Sequence, residues 1–468
     1  MSFVSPEFAL LCLLFFPLYW QLVDRPKLQR AFLLLSGYGL YATWSLTFAG
    51  VLFAYSAGIW ALGWWVSRCD KERLPMVLAL ALVLCTSFLV YFKYYEFLRA
   101  SLSDGLVHLG FQTSLPLMDL VTPVGVSFFT FQAVTYLVMA AQQSAQARSL
   151  PEVLLFLCFW PSLFAGPIVR AEKFFAQLDA GTTGRPLEVS LALYWIVLGA
   201  AQKLIFATWL GDTFVDPVFK YPEQQGGLTL LAAMVGYSLQ IALDFGGYTL
   251  IVTGLARLLG YELPVNFRQP YLARNLQDFW TRWHVSLSSF IRDYIYIPMG
   301  GNRLGFNRTQ CNVMLGMLIS GVWHGPNWTF VFWGLLHGLG VVGVNFYRQA
   351  RGPVLPAWLA HTLTLLFVTV AWVFFRADTL TGALNLLQGL WHNAHGFWHA
   401  DIGQVLQLAV FTGVFLVTCR HAVALQTRVV DGMQSNSPWL VTPVMAVLIY
   451  LVIALGPSGV PGFIYYRF

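Results

Sequence analysis

Residues 276–296 read LQDFWTRWHVSLSSFIRDYIY, and residues 321–338 read GVWHGPNWTFVFWGLLHG. At about 100° per residue, the helical period, Leu276, Trp280, Trp283, Leu287, Phe290, Ile291 and Tyr294 of the first stretch gather on one arc. Asp278, Arg282, Ser289, Arg292 and Asp293 lie opposite. Such a helix is expected to lie along a membrane surface, with His284 at the edge of its apolar stripe. The second stretch belongs to a run from Val313 to Val344 in which only His324 and His337 can ionise. An imidazole at membrane depth is costly unless it is paired, hydrated or used. An all-α polytopic membrane protein with chemistry inside the bilayer accommodates both stretches.

Composition extends that reading to the whole chain. Of 468 residues, 57% are hydrophobic and 10% charged, against about 25% charged in a soluble domain. Residues 8–23, 48–66, 74–98, 189–210, 228–243, 362–375, 405–419 and 440–455 are apolar runs. They approach the roughly 20 residues of a spanning helix. The first lacks a basic region before it and a small-residue cleavage site after it, so a retained helix is expected rather than a signal peptide. Strand alternation, solenoid repeats and low-complexity tracts are absent from the sequence, which predicts a single membrane domain over 1–468. Six cysteines lie scattered without CxxC spacing and read as buried small hydrophobes. His392, His395 and His399 have ligand-like spacing but sit in WHNAHGFWHA. An interfacial aromatic loop is the expected reading, and no metal is expected. The net charge of +6 records topology through the loops, so no nucleic-acid partner is expected.

Arg25, Lys27 and Arg30 after the first run place that loop on the cytoplasmic side. Residues 31–66, interrupted near Ser45, predict two short helices making a round trip to Arg68, Lys71 and Arg73. Residues 154–169 are apolar but broken by Trp160-Pro161 and Gly166-Pro167, which predicts a re-entrant segment packed against protein. Residues 228–260 carry a similar expected break at Asp244–Tyr248. Residues 257–310 form a cytoplasmic-side amphipathic and basic segment, with seven arginines against three carboxylates, Glu262, Asp278 and Asp293. That surface suits anionic phospholipid or a phosphate-bearing donor.

Gly321, Gly325 and Pro326 thin the helix around His324, and a neutral imidazole there can accept a proton at neutral pH. A hydrogen-bonded packing histidine is the competing reading, and on spacing alone it is the stronger one for His284. His337 is expected to be structural. The aromatic tail 457–468 ends in FIYYRF, which reads as an interfacial anchor or as a segment inserted in a groove. The sequence contains no Gly-x-Ser-x-Gly elbow and no P-loop.

The stretches PVGVSFFTFQAVTYLV from Pro123, FAGPIVR from Phe164 and LDFGGYTLIVTGLARLLGYELPVNFRQPY from Leu243 carry a family resemblance. So do NLQDFWTRWHVSLSSFIRDYIYIPMGGNR from Asn275 and GVWHGPNW from Gly321. The chain resembles the membrane-bound O-acyltransferase (MBOAT) family, in its bacterial polysaccharide O-acetyltransferase branch that includes alginate O-acetylation proteins. The resemblance covers roughly 1–375 and returns at the tail. It implies a ring of roughly 11 or more transmembrane helices, with re-entrant segments around a central funnel. It also implies catalytic roles for His324 and His284; Trp280, Trp283, Arg282, Arg292 and Trp323 are expected to bind substrate. The tail resembles an FIYFxF terminus whose tyrosine accepts an acyl group; that tyrosine corresponds to Tyr465, with Tyr466 where phenylalanine is usual.

The resemblance further implies acetyl-CoA as acyl-donor substrate, no bound cofactor, and a multi-pass place in the bacterial inner (cytoplasmic) membrane among membrane lipids. The expected activity moves an acetyl group towards hydroxyls of an extracytoplasmic polysaccharide of alginate or cellulose type. Transfer is expected either directly or through acyl-Tyr465 to an extracytoplasmic acetyltransferase partner. Acylation of a lipid or protein by the same family is one alternative. Transport without acyl chemistry, using the same broken helices, is another.

Overall fold

The computed structural model describes residues 3–111, 115–118, 120–142, 147–181, 183–392 and 395–457. Tyr465 and the rest of residues 458–468 lie outside the described residues. Among those described there is helix and loop but no strand. Eight helices among the described residues are long and apolar enough to cross a membrane, and the apolar helices Pro6–Gln21 and Val126–Gln142 are shorter. Many outward side chains are apolar, among them Val410, Val414 and Leu451. Only a lipid solvent makes such faces inexpensive, and the chain is a multi-pass membrane protein.

Contacts divide the chain into two compact units, one of residues Met1–Val189 with Leu255–Pro264 and one of Ser190–Gly254 with Val265–Phe468. In the first, α1 (Pro6–Gln21), α2 (Pro26–Ala42) and α3 (Leu46–Ser67) follow the sequence closely. Ser45 caps α3 by accepting the Phe48 N–H at 3.3 Å, which explains the interruption expected there. Next come α4 (Leu74–His108) and α5 (Val126–Gln142). The 154–169 region forms α6 (Leu150–Leu157) and α7 (Trp160–Leu163), then irregular backbone, before α8 (Ala171–Asp179). Residues 153–169 are buried without a gap, and at eight and four residues neither helix can cross. The structure agrees with a broken segment held inside protein. Arg257 is buried here between Glu188 and Glu262, so it is not part of an open basic face.

The second unit holds α9 (Val189–Lys220) and α10 (Gly227–Leu258). The expected break at 244–248 does not occur; α10 runs through it. Gly247 serves helix contact instead of a kink. A Cβ on Gly247 would sit 2.6 Å from the Gly199 carbonyl, and one on Gly199 2.4 Å from the Gly247 carbonyl. The close approach brings Lys203 of α9 onto Asp244 of α10 in an ion pair whose side chains are 2% and 7% exposed.

A second expectation also changes. The 276–296 stretch is not one interfacial helix but α11 (Leu276–Arg282) and α12 (Val285–Ile291), continued by a wider turn at Arg292–Tyr296. Then come α13 (Phe306–His324), α14 (Trp328–Gln349), α15 (Ala357–Arg376), α16 (Leu380–Gly389), α17 (Ile402–Ser435) and α18 (Pro438–Leu455). α13 and α14 form a tight hairpin, because Gly321 and Gly334 face one another. A Cβ on Gly321 would lie 2.4 Å from the Phe330 carbonyl, and one on Gly334 2.5 Å from that of Met317. Asn327 closes the turn, accepting the Thr329 N–H at 3.0 Å and donating to the Asp378 carbonyl at 2.8 Å.

Candidate active site

The helix break falls at His284, which adopts φ 44° and ψ 53°. This left-handed conformation is uncommon outside glycine, asparagine and aspartate. Neighbouring backbone holds it there. The Arg268 N–H donates to the Arg282 carbonyl at 2.9 Å, and the Val285 N–H donates to the Asn266 carbonyl at 2.9 Å. These two bonds turn the chain away from α11 and carry His284 into the interior, where it is fully buried. Tertiary pairing thus overrides a helical period that fits the whole stretch.

Asn266 then defines the imidazole. Its side-chain oxygen accepts the Ser286 backbone N–H at 3.2 Å and the Ser286 hydroxyl at 2.8 Å. The same oxygen lies 3.1 Å from His284 Nδ1. A backbone N–H can only donate, which identifies that atom as the amide oxygen. Nδ1 therefore carries the proton, and Nε2 carries the lone pair. Burial pushes the His284 imidazole down to about 3, so it is neutral at physiological pH. Asn266 is a site residue that sequence reasoning missed. No local pattern in LPVNFRQPY marks it, and eighteen positions separate it from its partner.

His324 ends α13, 2% exposed. Gly325 after it is extended rather than helical, and a Cβ there would fall 2.4 Å from the Phe330 ring. The His324 ring lies 5.1 Å from Trp323, 5.0 Å from Trp333 and 5.0 Å from Phe375, between ring centroids. Its centroid is 6.4 Å from that of His284. Trp323 also meets His284 at 5.8 Å, and Phe245 of α10 packs edge-on against His284 at 4.8 Å. Two buried imidazoles from separate elements thus stand within reach of one small reacting group, inside an aromatic wall. An imidazole pair at that separation can hold a hydroxyl and take up its proton.

The remaining expected residues divide. Trp323 joins the pair directly. Trp280 lies one ring further out, against Trp333 at 5.7 Å and His337 at 5.0 Å. His337 is fully buried among these rings. Trp283 belongs to the core beneath, stacked on Phe279 at 5.7 Å and tilted against Trp372 at 5.0 Å. Arg282 is held by Asp278 at 2.6 Å, and the largely exposed Arg292 by Asp293 at 2.7 Å. With Arg257, three of the seven segment arginines are committed to carboxylates. No group of three or more metal-ligating side chains occurs among the described residues.

The family model for membrane-bound O-acyltransferases matches residues 31–381. The chain is 30% identical to the peptidoglycan O-acetyltransferase of Helicobacter pylori, over 78% of this chain and 74% of that protein. It is 31% identical to a probable alginate O-acetylase of Pseudomonas aeruginosa, over 85% and 76%. A teichoic acid D-alanyltransferase of Streptococcus thermophilus is 32% identical over 47% of this chain and 56% of its own length. The histidine pair, the two broken segments and the spans around them lie within the matched residues, and the chain belongs to the membrane-bound O-acyltransferase family, as an O-acyltransferase.

Proposed function

We propose that this enzyme moves an acetyl group from acetyl-CoA on the cytosolic side towards hydroxyls of an extracytoplasmic polysaccharide, of alginate or cellulose type. The observation that carries the reading is the buried pair of His324 and His284, 6.4 Å between ring centroids. Relatives named for O-acetylation of alginate and of peptidoglycan support the acceptor class. In the reaction His324 removes the acceptor's hydroxyl proton as the oxygen attacks the thioester carbonyl. A C–O bond forms, the C–S bond breaks, and the thiolate leaves with the proton from His324. His284, with Nδ1–H tied to Asn266, uses Nε2 to orient the acceptor or to share that proton.

The first acceptor is the polymer itself or Tyr465, from which an extracytoplasmic acetyltransferase would take the acyl group. A phenol has a pKa near 10, so a relay requires a base at the hydroxyl, a role His324 can fill. Tyr465→Phe separates the routes. Loss of acetylation supports the relay, and intact-protein mass spectrometry would detect the acetyl ester on the wild-type chain; unchanged acetylation leaves the direct route. Deleting the gene and asking which component of the cell loses acetyl groups tests the whole reading. Loss from a polysaccharide supports it, and loss only from lipid or protein overturns it.

A further inference from the structure

Away from the histidine pair, the second unit contains a cavity of about 780 Å3 between the start of α11, the C-terminal half of α14 and the N-terminal half of α15. Its lining is largely apolar, with Leu276, Val344, Leu363 and Phe367, and also includes Arg274 and Arg348. Arg348 donates to the Gln277 side chain. No ion pair is found for Arg274 or Arg348 among the described residues. The nearest carboxylate on α11, Asp278, accepts the Arg274 backbone N–H at 3.1 Å but is neutralised by Arg282 at 2.6 Å. Arg274 belongs to the basic segment that positive-inside bias assigns to the cytoplasmic face, where anionic headgroups concentrate, and Arg348 shares its cavity.

We propose that this cavity binds an anionic phospholipid of the inner leaflet, its phosphate at Arg274 and Arg348 and one acyl chain along Leu276, Leu363 and Phe367. The largely apolar lining selects a diacyl lipid over a nucleotide-bearing donor, and the paired cations select an anionic headgroup over a zwitterionic one. The proposal rests on the membrane assignment and not on the acetyl-transfer reading. Leu276 begins the helix that leads into His284, so the bound lipid would brace the element on which the site depends.

Native mass spectrometry of the purified full chain tests this, using dioleoyl-phosphatidylglycerol and dioleoyl-phosphatidylcholine as matched probes. The wild type should retain one phosphatidylglycerol in preference to phosphatidylcholine. Arg274→Gln with Arg348→Gln should weaken phosphatidylglycerol binding roughly thirtyfold, to the level of phosphatidylcholine. Gly343 lines the cavity and a Cβ built on it meets nothing within 4 Å, so Gly343→Leu adds bulk there without a clash at its Cβ and should weaken both lipids while the arginines remain. Should the double variant fail to fold, Arg348→Gln alone carries the test, with roughly a fivefold loss expected. Equal retention of the two lipids by the wild type overturns the proposal. So does unchanged phosphatidylglycerol binding in the folded arginine variants, or its displacement by coenzyme A, which would assign the arginines to the donor.

Discussion

His324→Ala removes the proposed base and leaves the α13 helix intact. Acetylation should fall by about 10²- to 10⁴-fold, with membrane abundance unchanged by immunoblot; near-normal acetylation at equal abundance would refute the assignment. His284 calls for a finer comparison, because its backbone is left-handed. Asparagine tolerates that conformation and alanine does not. His284→Asn should therefore stay folded and lose activity, whereas His284→Ala should lose both thermal stability and activity. Asn266→Leu should imitate the activity loss without touching either histidine, and full activity in that variant would show that the amide does not set the tautomer. The pH response follows from burial. An imidazole whose folded pKa is near 3 but whose unfolded value is near 6.5 favours the unfolded chain as pH falls below 6.5. The thermal midpoint should drop from pH 7 to pH 5, and more gently in His284→Asn.

The α13–α14 hairpin carries the next prediction. Gly321 and Gly334 have no room for a Cβ against the opposing carbonyls. Gly321→Val should push the helices apart, tilt His324 away from Trp333, and cost about 1–3 kcal/mol, read as a lower melting point together with lost activity. Elements were legible where hydrophobicity alone decides them. The Ser45 turn and the broken 154–169 segment follow from capping and proline chemistry that neighbouring residues declare. The 276–296 break was not legible, since its apolar period is sound and the force that breaks it comes from residues 266–268. The 244–248 stretch failed in the opposite direction. Its glycines look like a kink until Gly199 is known to face Gly247. His324 could be singled out as the lone interruption with His337 of an apolar run, but its partner's orientation depended on Asn266, which no local pattern marks.

Across the whole molecule, the Lys203–Asp244 pair bears on how the protein is made. A lone lysine or aspartate at the centre of a spanning helix costs roughly 2.5–3.5 kcal/mol during insertion. α9 and α10 are consecutive, so a nascent chain can pass both charges from the translocation channel as one hairpin, each cancelling the other before lipid is met. Lys203→Met alone should remove the cation that meets Asp244, at about 3–5 kcal/mol, and yield a degraded product in pulse-chase labelling. Lys203→Met with Asp244→Leu should restore the amount of protein in the membrane. The pair would then act as a timing signal, fixing the moment in synthesis after which these two helices cannot be released separately.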